Sequence, residues 1–162
     1  MMRFSFLDKA EKDVWLPILY DLLYDNMQLI APSGLPYEQE KAQWLSAVSP
    51  ALEKEPRKII MCISDDELVG YIQYYTRNDL LMIEEVQIKK PYQRTLVFHK
   101  MCKYLATIIP LDIEYIEAYA DERNSYSQKL MKNLGMEQLN DTCSPGFVRL
   151  RGKADFARKL FM

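Results

Sequence analysis

The chain has 162 residues, 49% apolar, 27% charged and 12% aromatic, with only 5 Gly and 8 Pro, a composition that excludes disordered and collagen-like chains and predicts one globular domain over 1–162. Domains of this length bury about 68–70% of their unfolded surface, so no disulfide or metal staple is needed to fold. Net charge is −2 and no basic run could track a phosphate backbone, so no nucleic-acid partner is expected.

Residues 2–7, MRFSFL, read as a short strand. The apolar stretch stops at Asp8, too short for a secretory leader, and no window approaches 18 apolar residues, so a cytoplasmic protein without a membrane partner is expected. Val14, Ile18 and Leu22 on one ridge, with Trp15, Leu19, Leu23 and Met27 beside it, predict a helix. After the APSGLP connection at 31–36, a second helix carries Trp44, Leu45 and Val48, and Pro50 is expected to interrupt it.

RKIIMCIS and LVGYIQYYT flank an acidic turn at Asp65, Asp66 and Glu67 and predict a hairpin, which LLMIEEVQI at 80–88 extends to a three-strand meander. Helical period then runs from Thr95 to Ile109 and ends at Pro110. A strand is predicted over 112–120, a helix from Asn124 to Gly135, and strands near 136–140 and 146–151 around a Ser-Pro-Gly turn. Mixed connections of this kind imply an α/β (α+β) fold with a single mixed, largely antiparallel sheet of six to seven strands and helices on both faces.

Cys62, Cys102 and Cys143 form no CxxC and read as reduced thiols. His99 is the only histidine, and no ligand spacing meets zinc or calcium patterns, so no metal is expected. The Tyr-rich strands, with Tyr71, Tyr74 and Tyr75, read as sheet packing.

The chemistry-bearing stretch is IEEVQIKKPYQRTLVF at 83–98, a strand passing through a polar loop into a helix whose N-terminal amides can hold a phosphate, with Lys89, Lys90 and Arg94 nearby. Its partner is NSYSQKLMKNLGM at 124–136. Ile88 at the strand end, Pro91-Tyr92-Gln93 in the approach, and Asn124, Ser127, Leu130, Asn133, Leu134, Gly135 and Met136 on the second helix together resemble the GNAT superfamily of acyl-CoA-dependent N-acyltransferases. The element order matches that family from residue 2 to residue 151.

This resemblance implies direct attack of an amine on acetyl-CoA or another acyl-CoA. Pantetheine is then expected between the strands at 80–88 and 113–120, on main-chain groups of Val86 and Ile88, with the thioester oxygen near the Val86 N–H. Diphosphate is expected on the amides of Gln93, Arg94, Thr95, Leu96, Val97 and Phe98. Asn124 and Ser127 join the cofactor-binding set by family position, Asn124 being equally a plain helix N-cap. Leu96 and Phe98 stand where the family has glycines, making the pyrophosphate loop degenerate, and Met131 stands where many members have a Tyr that protonates the leaving thiolate.

The attacking amine must be neutral, and Glu84 and Glu85 are the candidate bases, one on each face by strict alternation unless a bulge intervenes. Tyr104, Tyr119 and Tyr126 are candidate replacements for the missing acid, with Tyr126 about 140° around the helix from Met131 and so expected to face elsewhere. The resemblance implies a small-molecule or protein amine as acceptor, in a groove built by the segments 24–40 and 140–147, with Asp21, Asp25, Glu38 and Glu40 hinting at a cation. The protein is expected to be a monomer or homodimer. The alternative function is a GNAT-fold binding or regulatory module that no longer binds CoA, for which Leu96, Phe98 and Met131 argue.

Overall fold

Asp65 and Asp66 both hold left-handed backbone, φ 51° and 63°, the geometry of a two-residue hairpin turn that short acidic side chains tolerate. They join β2 (Arg57–Ser64) to β3 (Glu67–Arg77), and β4 (Leu80–Ile88) continues the antiparallel meander. The computed structural model describes residues 1–54, 56–140 and 144–161. β1 (Met2–Phe6) lies antiparallel on β2.

From β4 the chain crosses through α3 (Val97–Ile108) to β5 (Tyr115–Asp121), which runs parallel to β4. It continues through α4 (Ser125–Asn133), β6 (Glu137–Gln138), β7 (Phe147–Lys153) and α5 (Ala154–Phe161). The seven strands form one mixed sheet in the order β1-β2-β3-β4-β5-β7-β6. α1 (Lys12–Ile30) and α2 (Tyr37–Lys54) precede the meander and cover one face.

Alternation along each strand divides the core. Ile60, Ile72, Leu81 and Ile83 pack against Val97, Met101 and Leu105 of α3 and Ala157 of α5. On the opposite face Ile59, Met61, Ile63 and Tyr71 meet Leu16, Leu19 and Leu22 of α1 and Val48 and Leu52 of α2. Helices therefore flank both faces, as the element order implies.

Four sequence expectations change. α2 runs through Pro50 to Lys54, because Val48 and Leu52 are buried on either side of it and their packing outweighs the roughly 3 kcal/mol cost of an interior proline. Of the predicted α1 ridge, Val14 and Ile18 are exposed while Leu22 is buried, together with Leu16, Leu19, Tyr20 and Asn26. The strand expected from 112 begins at Tyr115, and that expected over 136–140 shortens to Glu137–Gln138. α5 was not anticipated, although Ala154, Ala157 and Phe161 have helical spacing; all three are buried.

Gly135 ends α4 with φ 82°, and a Cβ there would lie 2.4 Å from the Phe156 ring of α5. Left-handed strain and overpacking together predict that Gly135→Ala costs about 2–4 kcal/mol, lowering the melting temperature by roughly 5–15 °C. A thermal melt that leaves this variant unchanged would show that α5 does not close over the glycine.

Candidate active site

β4 and β5 pair only from Leu80↔Tyr115 to Ile83↔Ala118, although β4 continues to Ile88 and β5 to Asp121. The cause lies in β4. Gln73 of β3 faces Glu85 while its neighbour Tyr74 faces Ile83, leaving Glu84 as the extra residue of a bulge, which bends and twists its strand. Beyond the bulge the strands part and a cleft opens between them.

The cleft has two contiguous lobes. One, of about 180 Å³, is lined by Leu23, Glu84, Glu85, Val86, Tyr119 and Phe147. The other, of about 80 Å³, is lined by Asn26, Ile88, Gln93, Phe98 and Tyr126. Met27 of α1, Val86, Gln87, Asn124, Ser127 and Met131 border both.

Main-chain direction in β4 follows from one bond. The Lys89 N–H donates to the Val69 carbonyl in β3 at 2.8 Å, so the other side of that peptide, the Ile88 carbonyl, points into the cleft. There it accepts from Asn26 Nδ2 and Gln93 Nε2, both at 2.9 Å. By the period of two, the N–H and C=O of Val86 also face the cleft. The resemblance assigned main-chain groups of Ile88 to pantetheine; of these the carbonyl is already engaged.

The bulge overrides strict alternation, and both glutamates border the same lobe. They are nevertheless different groups. Glu84 is gripped by Arg57, whose Nη2 lies 2.7 Å from Oε2 and whose Nε bonds Oε1. Glu85 accepts from Gln87 Nε2 at 2.6 Å through Oε1, and among the described residues no donor reaches its Oε2. Burial pushes the Glu85 carboxyl up to about 7; the Gln87 bond opposes this and the Glu84 charge adds to it. Its free oxygen and a value near neutrality make Glu85 the group able to take a proton in the cleft.

The loop after β4 is only partly turned to the cleft. Gln93 and Phe98 border the smaller lobe, while the Leu96 side chain is 69% exposed, directed neither into the sheet nor across the cleft. Arg94 holds φ 61° and its guanidinium lies 5.8 Å from the Tyr126 ring centre. At the start of α3 the Val97 amide is taken by Thr95 Oγ1 at 3.3 Å, and the Phe98 and His99 amides have no intrahelical acceptor. Lys89 and Lys90 instead border a separate cavity of about 450 Å³, on the other flank of α1 with Asp21 and Asp25.

Asn124 is the N-cap of α4, its Oδ1 accepting from the Ser127 amide at 3.0 Å, and it also borders both lobes. Tyr126, in the first turn of α4, borders the same lobe as Met131, contrary to the helical-angle expectation. Tyr104 stacks on Phe4 at 5.3 Å, outside the residues bordering either lobe. Asp21 is bonded by Tyr37 and Lys41 and Glu40 by Ser33, so these carboxylates are not presented to an acceptor in the cleft. His99 is exposed on α3, its ring 5.0 Å from that of Phe161.

Cys62 and Cys102 are free and buried, and burial pushes their thiols up to about 11 and about 12, which makes them poor nucleophiles. Cys143 lies outside the described residues, as does part of the 140–147 segment. No group of His, Cys, Asp and Glu among the described residues is arranged to hold a metal ion, and no helix is long and apolar enough to cross a membrane.

Sequence reasoning missed Asn26 and Gln87, which join Glu85 to the loop. Their signals were present: Asn26 follows Leu22 by four residues on an otherwise apolar face, and Gln87 lies two residues from Glu85 on one side of β4.

This seven-stranded sheet with a splay between β4 and β5 is the fold of the GNAT acetyltransferases. The chain is similar to the PaiA N-acetyltransferase of Thermoplasma acidophilum in complex with coenzyme A, at 11% identity and TM-score 0.71, over 94% of this chain and 99% of that one. It is similar to a GNAT-family acetyltransferase of Staphylococcus aureus, at 10% identity and TM-score 0.72, over 95% and 99%. A third similar structure is a Bacillus subtilis acetyltransferase in complex with CoA, at 18% identity and TM-score 0.63, over 94% and 99%. At these identities the likeness is one of fold. No protein-family model and no curated protein matches the sequence.

The raised carboxyl of Glu85 carries a stability cost with a definite sign. Between the ordinary carboxylate value of 4.5 and about 7, the folded protein holds a proton that the unfolded chain releases, so stability falls as pH rises through this window. Glu85→Gln is therefore expected to be more stable than wild type at pH 8, by about 1–3 kcal/mol, with the gap closing towards pH 4.5. Urea unfolding at several pH values checks this, and a variant less stable at pH 8 would contradict the burial argument.

Proposed function

We propose that the protein is an N-acyltransferase that passes an acetyl or other acyl group from acyl-CoA to a primary amine by direct attack. The observation that carries this reading is the cleft itself: two parallel strands that part beside a main-chain donor, Val86, and a carboxyl near neutrality, Glu85. The fold shared with acetyltransferases, two of them in complex with CoA, supports the same reading.

In this reading pantetheine lies along β4 and uses the outward N–H and C=O of Val86 in place of a neighbouring strand. The Val86 N–H polarises the thioester carbonyl and holds the oxyanion that forms on attack. Asn124, whose Oδ1 is used by its helix, has its amide NH2 for the pantetheine arm. The diphosphate rests at the start of α3, with the amides of Phe98 and His99 as donors and the Arg94 guanidinium beside them.

The acceptor amine arrives protonated, since such amines have pKa values of about 8–10.4. Glu85, which borders the cleft, removes that proton, and a base poised near 7 suits this task at neutral pH. The neutral nitrogen attacks the thioester carbon, the zwitterionic tetrahedral intermediate collapses with cleavage of the C–S bond, and the surplus proton of the nitrogen passes through solvent to the leaving sulfur, giving the amide and the CoA thiol. With a thiol pKa of about 8.5 the leaving group needs little acid assistance, so Met131 in place of a tyrosine is compatible with turnover. Glu84 stays in its ion pair with Arg57 and holds the bulge rather than moving protons. A cytoplasmic setting, with acyl-CoA and reduced thiols, fits this chemistry.

Phe98 favours a second reading. Its ring borders the smaller lobe where the family has small residues, and if it closes the path from loop to cleft the domain is a binding or regulatory module.

Activity is read by thiol release from acetyl-CoA over a panel of small amines and peptides with free N-termini. The wild-type rate is expected to rise with pH through a midpoint near 7, and Glu85→Gln is expected to lower kcat by about 10²–10⁴-fold with little change in the KM for acyl-CoA. Full activity of that variant across pH 6–9 would remove Glu85 from the role of base.

A further inference from the structure

We propose that Asn26 and Gln87 are positioning residues, forming with Gln93 a chain of side-chain amides whose polarity is fixed by the Ile88 carbonyl and which presents an N–H donor to Glu85. The proposal rests on Glu85 being the base of the acyl transfer. The chain is continuous: Gln93 Nε2 donates to Asn26 Oδ1 at 3.3 Å, Asn26 Nδ2 to Gln87 Oε1 at 2.8 Å, and Gln87 Nε2 to Glu85 Oε1 at 2.6 Å. Asn26 and Gln87 are only 6% and 7% exposed, so water cannot readily replace their partners.

An amide can be turned end for end, and what decides its direction is a neighbour that cannot turn. The Ile88 carbonyl is such a neighbour, being backbone and acceptor only. Since it takes Asn26 Nδ2 at 2.9 Å, Asn26 must present its NH2 towards both Ile88 and Gln87. Gln87 must then offer its oxygen to Asn26, which leaves its NH2 for Glu85. A donor held against a carboxylate favours the ionised form. With the chain intact, the donor offsets part of the burial cost, keeping the carboxyl near neutrality where it can accept a proton.

The charged and titratable surroundings do not supply this effect. Glu84 of β4, the near anion, is held by Arg57 of β2. Tyr71 of β3 offers a buried phenol. α1 turns Leu23 and Met27 to the cleft and Asp21 and Asp25 to its other flank. Across the opening β5 gives Tyr119 and Asp121, the latter paired with Arg123. Gln87 is therefore the group that draws Glu85 towards its ionised form.

The test is a carbon-13 NMR titration of the Glu85 carboxyl, assigned by its loss in Glu85→Gln, in wild type, Gln87→Met and Asn26→Leu, with pH–rate profiles of the same proteins. The wild-type midpoint is expected near 7. Gln87→Met is expected to raise it by roughly 1–2 pH units. Asn26→Leu, which touches no atom of Glu85, is expected to raise it by a smaller but resolvable amount, because Gln87 is then free to turn its oxygen to the carboxyl. Both rates should fall at pH 7 and recover at alkaline pH with the KM for acyl-CoA little changed. Gln87→Ala and Asn26→Ala serve where the larger apolar side chains do not pack. Midpoints that stay at the wild-type value in folded variants would overturn the proposal. A midpoint that moves while Glu85→Gln retains full activity would keep the amide chain and overturn the base.

Discussion

The parallel ladder between β4 and β5 stops after Ile83↔Ala118, and the site depends on that stop. An extra residue at Glu84 turns β4 away from its neighbour, so the Val86 main chain is left without a strand partner in the middle of a sheet. Unpaired backbone in such a place is costly unless something else satisfies it. At Ile88 the protein supplies its own partners, Asn26 and Gln93. At Val86 the β5 side is open, and the proposed function places the acyl-CoA there.

The same bulge gives two adjacent glutamates different chemistry. Glu84 faces a guanidinium and is fixed in a two-point ion pair; Glu85 faces an amide and is raised by burial. One is held in an ion pair at the bend, and the other is the base of the proposed function. In β5, Glu117 is buried between Arg149, at 2.7 Å, and Arg151 of β7. Burial pushes its carboxyl up, but hydrogen bonds and charge from both arginines more than offset this and hold it below the usual carboxylate range. β5 is thereby tied to β7 on its far side, and the cleft opens on the β4 side.

Strand and helix order was legible because hydrophobic period and turn residues carry it: the 80–88 strand, the Asp65-Asp66 turn and the Asn124 cap all stand where the pattern puts them. Other features were decided by partners distant in sequence. Pro50 reads as a break until Val48 and Leu52 are seen packed with α1 and β2. Whether Glu84 or Glu85 faces the cleft cannot follow from alternation, since the bulge is defined only by the register with β3. Arg57 has no local signature as a site residue, and Asn26 and Gln87 show only as polar residues on apolar or site-facing positions, because what all three do is set by which carboxylate or carbonyl lies opposite. Leu96 looked like an obstruction and is directed to solvent, while Phe98, equally out of pattern, does border the cleft.

The central claim is that the opening between β4 and β5 accepts coenzyme A despite Phe98, and thermal unfolding with and without the cofactor tests it most directly. At about 100 times its dissociation constant, CoA or acetyl-CoA is expected to stabilise the fold by roughly 2.7 kcal/mol, a rise of roughly 5–10 °C in melting temperature for a domain of this size. The two ligands should act alike, since pantetheine and diphosphate make most of the contacts, and Phe98→Ala should enlarge the shift. No change in melting temperature with either ligand at millimolar concentration would contradict the account.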